Sequence, residues 1–271
     1  MTFLQKLGAA VAKNDSLLCV GLDPDVAKLP EGLGQFSFNK AVIDATADLV
    51  CAFKPNPAFY EALGGEGVGY LEDTCRYIKQ KYPDIPIILD AKRGDIGNTN
   101  KAYARAVFDV MQADAVTLHP YFGKDSLMPF LEYKDKGMII LCKSSNSGGG
   151  ELQDLPVKDM KLYEYVARQV VDGWNESGNC LLMVGATYPE ELAAVRKIAG
   201  TMPILVPGIG AQQGDMQAML AAGLTPDGTG LIINSSRDIL FASNGQDFAE
   251  AARQKALGSR DAINKHRGGT A

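Results

Sequence analysis

Short apolar, β-branched runs recur along this 271-residue chain, each followed by polar residues and then by a stretch of helical periodicity. They predict strands at 16–21, 49–54, 85–90, 115–119, 138–142, 180–184, 204–206 and 230–234, spaced by roughly 25–40 residues. Each run is almost continuously hydrophobic, as parallel strands covered on both faces must be. Between them, 38–49, 71–81, 158–174 and 190–199 place apolar residues every three or four positions, the spacing of a half-buried helix. Asn98 stands where it would cap a helix over 99–111, and Ser126 lies close to another helix start. Strand and helix alternating eight times predict a TIM-type (β/α)8 barrel, an α/β fold, with an extra N-terminal helix at about 2–13 closing its bottom. A doubly wound open sheet is the alternative.

The length fits one such barrel, for which about 250 residues is typical. No linker or shift of composition divides the chain, so 1–271 is read as one domain, with a flexible Gly148-Gly149-Gly150 loop and a frayed tail over 266–271. A net charge of −5 argues against a nonspecific nucleic-acid binder, though not against an anionic small molecule, because local charge sets a site. No apolar run approaches the roughly 20 residues of a membrane span, and the N-terminal residues lack the pattern of a signal peptide. A cytoplasmic location is expected. Cys19, Cys51, Cys75, Cys142 and Cys180 are far apart with no CxxC, and are read as reduced thiols packed in the core. With only His119 and His266 as imidazoles, a multi-histidine zinc site is impossible and no metal is expected.

In barrels of this type the working residues stand at the C-terminal strand ends. Those ends read Gly21-Leu22-Asp23, Phe53-Lys54-Pro55 and Asp90-Ala91-Lys92-Arg93-Gly94-Asp95. Asp90 and Lys92 are two apart and share a face if the strand persists. Lys54 would join them from the neighbouring strand, and opposite charges around one cavity keep each other ionised. A structural ion-pair network at the rim explains any one of these residues, but poorly explains charged residues at three successive strand ends. After the last two strands, Gly208-Ile209-Gly210-Ala211-Gln212 and Ser235-Ser236-Arg237 suit a phosphate: glycines admit backbone N–H groups, Arg237 offers a bidentate fork and Gln212 an amide. Tight turns and a surface arginine are the plainer reading. His119 is read as a structural histidine at a strand end and Trp174 as packing.

The run from Asp90 to Thr99 resembles the D-x-K-x-x-D-I-x-x-T signature of orotidine 5'-phosphate decarboxylases, especially their longer bacterial subfamily, type 2. Leu22-Asp23, Phe53-Lys54-Pro55-Asn56, the 184–190 segment and the 207–212 segment resemble the family's other strand ends in the same order. The resemblance implies decarboxylation of orotidine 5'-phosphate to UMP and CO2 in de novo pyrimidine biosynthesis, without cofactor or metal. It implies a charged tetrad of Lys54, Asp90, Lys92 and Asp95, in which Lys92 protonates a C6 carbanion. It also implies a homodimer, with Asp95 and Thr99 contributed across the interface. Asp23 and Thr99 are expected at the ribose, and Gly210, Gln212, Ser236 and Arg237 at the phosphate. Ser145 best fits the residue that reads the pyrimidine, with Ser144 and Asn146 as alternatives. Two rivals remain: an Mg2+-dependent sugar-phosphate decarboxylase or aldolase, and a noncatalytic nucleotide sensor. The first needs a carboxylate where Lys54 stands; the second has no need of the tetrad.

Overall fold

Side chains alternate inward and outward along the strands of a parallel barrel, and that alternation positions the site. The computed structural model describes residues 1–185, 189–208 and 213–267, without the side chains of 213–215. Its barrel strands are β1 (Leu18–Leu22), β2 (Ala52–Pro55), β3 (Ile88–Arg93), β4 (Ala115–Leu118), β5 (Gly137–Lys143), β6 (Cys180–Val184), β7 (Ile204–Pro207) and β8 (Leu231–Ser235). β8 pairs back onto β1, and all barrel pairings are parallel. Between β2 and β3 the ring is completed by one parallel bridge, Phe53 to Ile87, with the Phe53 N–H donating to the Pro86 carbonyl at 3.0 Å. The expected TIM barrel is the observed fold.

Several strands start later than their apolar runs. Ser16, Leu49 and Ile85 precede the ladders yet are buried, because burial and not pairing makes a run apolar. The Ser16 hydroxyl donates to the Leu49 carbonyl at 2.7 Å, replacing a ladder bond. β3 extends beyond its expected end and carries Lys92 and Arg93 on the strand.

The helices differ in similar detail. The one expected over 99–111 spans Gly97–Arg105 and widens into a π-turn over Ala106–Val110. Asn98 therefore lies inside it and is not its cap. Asn100 ties down its start instead: Oδ1 accepts the Asp95 N–H at 3.0 Å, and Nδ2 donates to the Asp95 and Ser126 carbonyls at 2.6 Å each. Residues 158–161 are not helical. Pro156–Val157 and Met160–Lys161 pair as a small hairpin, and the helix begins at Leu162. The terminal helix, Phe248–Arg267, includes His266 and Arg267, where a frayed tail was expected; 268–271 lie outside the described residues.

The N-terminal helix, Phe3–Asn14, is capped by Thr2 and plugs the barrel bottom. Phe3 and Leu7, 2% and 5% exposed, join an interior layer of Cys19, Ala52, Ile88, Ala115, Ile139 and Leu181. Full burial of such side chains stabilises by roughly 1.5–3 kcal/mol each. Gly137 is required beneath the plug, since a Cβ there would lie 2.3 Å from the Phe3 ring. Asp114 clamps the same end. It accepts from Lys6 (3.0 Å), Lys79 (2.5 Å) and the Ile87 N–H (2.9 Å), at the seam where β2 and β3 share only one bridge.

Candidate active site

Toward the C-terminal strand ends the interior layers turn polar. Ala52 and Lys54, Ile88 and Asp90, and Ala115 and Thr117 each sit two residues apart on one strand, so a residue above an apolar layer points into the same barrel. Gly21 pairs with Lys54 across β1 and β2. A Cβ at Gly21 would lie 1.8 Å from the Ser236 hydroxyl, so glycine lets the β1 and β8 ends close together around Asp23.

Asp90 is the centre of the charges. Its Oδ2 lies 2.7 Å from the Lys54 ammonium and its Oδ1 2.7 Å from that of Lys92. The Thr117 hydroxyl donates to the same Oδ1 at 2.9 Å. Burial alone would push the Asp90 carboxyl up, but Lys54 and Lys92 hold it well below the ordinary carboxylate range. Burial likewise opposes the Lys54 charge, and Asp90 and Asp23 overcome it, leaving its pKa above the usual lysine value. The lysines differ in access: the side chain of Lys54 is 3% exposed and that of Lys92 42%. Lys92 is thus the ammonium open to a ligand.

Asp23 sits beside this group. Burial raises its carboxyl above the ordinary range, against the pull of Lys54 and of the Ser236 hydroxyl. Its Oδ1 is buried and has no hydrogen-bond partner among the described residues, as is true of Asn234 Oδ1 on β8. Buried acceptors without donors are costly.

Asp95 does not join the other three charges within this chain. Its carboxylate accepts the Ile96 N–H at 2.7 Å, on the loop that precedes Thr99, which is exposed. Ser145 is exposed at the end of β5, whereas the Ser144 hydroxyl is held by Gln153 at 3.1 Å. Ser236 and Arg237 follow β8, with Arg237 exposed. Gly210 and Gln212 lie outside the described residues, as do positions 186–188 of the 184–190 motif and 209–212 of the 207–212 motif. The His119 N–H bonds the Arg93 carbonyl at 3.0 Å and its ring packs edge-on to Phe122. Trp174 packs against the core.

Two features escaped the sequence reading. Thr117 is a lone hydroxyl in an apolar strand, and its inward phase was the available signal. Lys143, buried at the end of β5, pairs with Asp154 at 2.7 Å and holds the intervening loop down; its partner eleven residues away has no local pattern. An apolar cavity of about 640 Å3 lies to one side, lined by His119, Cys142, Gln153, Tyr163 and Trp174 among others. Its lysine, Lys124, is already bound to the Gly173 carbonyl and Glu176, so the chemistry belongs to the Asp90 cluster. All five cysteines are free and buried, and burial pushes the thiols of Cys19, Cys75, Cys142 and Cys180 to about 12.

Residues 16–252 match the profile of the Orotidine 5'-phosphate decarboxylase / HUMPS family. The chain belongs to this family. It is 55% identical to the orotidine 5'-phosphate decarboxylase of Cellvibrio japonicus, over 97% of this chain and 98% of that one. To the protein of that name from Dechloromonas aromatica it is 56% identical, over 98% and 100%. The solved structure of Leishmania donovani OMP decarboxylase superposes with a TM-score of 0.87 at 41% identity, covering 98% of this chain and 99% of that one. The resemblance read from the strand ends is thereby borne out, and with it the expectation of a carboxy-lyase. Among the described residues no helix is long and apolar enough to cross a membrane.

Proposed function

We propose that this member of the orotidine 5'-phosphate decarboxylase / HUMPS family converts orotidine 5'-phosphate to UMP and CO2 in de novo pyrimidine biosynthesis, using no metal or cofactor. The observation that carries the proposal is the single carboxylate of Asp90 shared by a buried and an open ammonium at the barrel mouth. In the step, the bond from C6 to the carboxylate breaks, its electron pair stays on C6, and CO2 leaves. A fixed cation next to C6 favours the charge as it develops, since preorganised electrostatics in a dry site need no reorganisation. Lys92 then passes an Nζ proton to C6 and is reprotonated by water. Lys54 holds Asp90 ionised and in place.

Other residues take supporting roles in this proposal. Asp23 accepts from the ribose, a role its place beside Lys54 and Ser236 favours. Ser145 reads the pyrimidine edge; the hold of Gln153 on Ser144 favours Ser145 or Asn146 over that neighbour. Gly210, Gln212, Ser236 and Arg237 bind the phosphate. The protein works as a cytoplasmic homodimer of one-domain subunits, with Asp95 and Thr99 completing the neighbouring site. Exposed Phe59, Leu63, Ile96, Tyr121 and Phe122 follow strands β2 to β4, a surface that favours such pairing beside Asp95. An Mg2+-dependent reaction is disfavoured because a divalent cation at Asp90 would face two ammonium groups.

The test is the absorbance change of orotidine 5'-phosphate with purified protein, with and without EDTA. Turnover indifferent to EDTA is expected. No spectral change at high enzyme concentration would defeat the proposal, and loss to EDTA restored by Mg2+ would favour the metal-dependent rival.

A further inference from the structure

The register of β3 against β4 breaks at the site. Leu89 pairs with Val116 and Arg93 with Leu118, so Asp90, Ala91 and Lys92 all lie opposite Thr117 alone. Extra residues in a strand bend it, re-aim side chains and leave backbone groups without ladder partners. Lys92 shows the bend most sharply, with φ at 44°, a left-handed conformation that a lysine rarely adopts. Its N–H finds a side chain where a ladder would supply a carbonyl: it donates to Thr117 Oγ1 at 3.0 Å.

That contact fixes the direction of the hydroxyl. Threonine has one O–H proton, and an N–H can only donate, so Oγ1 accepts from Lys92 and must spend its own proton elsewhere. It spends it on Asp90 Oδ1 at 2.9 Å, the oxygen that also takes the Lys92 ammonium. Thr117 is fully buried and is not itself exposed to a ligand.

We infer that Thr117 is the positioning residue of this site, its one hydroxyl holding the Lys92 backbone in the left-handed bulge and the Asp90 carboxylate in the rotation that gives one oxygen to each lysine. The inference rests on the proposed roles of Lys92 and Asp90. Without the hydroxyl, the Lys92 N–H loses its partner, the bulge relaxes and the ammonium moves from its station. A misplacement of about 1 Å in a catalytic group costs on the order of 100-fold in rate.

The test compares Thr117→Val, which keeps the shape and removes the hydroxyl, with Thr117→Ser, which keeps the hydroxyl. Thr117→Val is expected to lower kcat by about 10- to 100-fold with KM and UMP affinity held within about threefold. Thr117→Ser is expected to recover most of kcat. A Thr117→Val kcat within threefold of the unaltered enzyme overturns the inference. So does a loss of UMP affinity equal to the loss of kcat, or a Thr117→Ser variant as slow as the valine one, since either indicates general damage. If Thr117→Val does not fold, Thr117→Ala is judged by the same outcomes. Lys92→Ala run alongside separates the two readings: an active Lys92→Ala enzyme sinks the proposed mechanism, whereas an inactive one beside a fast Thr117→Val sinks only the role of Thr117.

Discussion

Lys92 sets its ammonium 2.7 Å from Asp90 Oδ1 while its own backbone occupies the left-handed region, at φ 44°. On a regular strand the two side chains would stand parallel, with Cα atoms about 7 Å apart. The bulge opposite Thr117 turns the lysine back across the carboxylate. Backbone strain of this kind persists only where surrounding contacts over-determine it, and here they surround the proposed chemistry.

Lys92→Ala should therefore remove turnover and spare binding. A drop in kcat of about 10,000-fold is expected, at the upper end of the range for a lost acid–base group. UMP affinity, measured by titration calorimetry, should stay within roughly tenfold, because one exposed ammonium contributes little to holding a nucleotide anchored elsewhere. Substantial residual kcat would refute the assignment.

Asp23→Asn should trade binding for stability. The raised carboxyl means the folded state holds the proton more tightly than the unfolded chain, so ionised Asp23 weakens the fold above the ordinary carboxylate range. The variant should melt at or above the wild-type temperature at pH 7. That advantage should close as pH falls below about 4, where wild-type Asp23 is protonated too. UMP affinity should fall roughly 10- to 100-fold, the scale of a lost charged hydrogen bond. A lower Tm at pH 7 with unchanged affinity would contradict both halves.

Asp114→Asn tests the clamp at the other end. Burial raises this carboxyl, but Lys79 and Lys6 outweigh it, and its pKa lies below the ordinary value. Its stabilisation is thus complete above the unfolded carboxylate range and fades as pH drops through the lower folded value. Breaking such a pair costs about 3 kcal/mol or more, which for a chain of this size is a Tm loss of roughly 6–12 °C. Calorimetry should show that gap at pH 6–8 and see it shrink below about pH 4. A gap that widens in acid would exclude the clamp.

Phe3→Ala should separate stability from catalysis. Emptying the plug costs about 3–5 kcal/mol. The Phe3 ring packs beneath Gly137 and Ala115, whereas Thr117 stands one layer above Ala115 on the way to the site. At 20 °C kcat should stay within about twofold of wild type. A kcat that falls with Tm would mean the bottom layer positions the site.

The architecture was legible because each strand repeats one local demand. A run covered on both faces must be apolar throughout, as Ile139, Ile140 and Leu141 are, and that signal needs no knowledge of partners. Lys54, Asp90 and Lys92 stood out for the converse reason, since charges at the end of a buried strand are costly unless they meet. Asn98 misled because capping depends on where the backbone leaves its extended conformation, and Ile96 rather than Asn98 is the residue in that position.

Local patterning in the sequence therefore determined the number of strands, the charged residues at their ends and the shared face of Asp90 and Lys92, because periodicity and desolvation act over a few residues. Tertiary structure alone decided that Thr117 faces a three-residue bulge, that Asp90 divides its oxygens between two lysines, and that Asp114 clamps Lys6 and Lys79. Those facts follow from register between strands and from side chains far apart in the chain. A one-residue slip in pairing would leave every local pattern intact and undo all three.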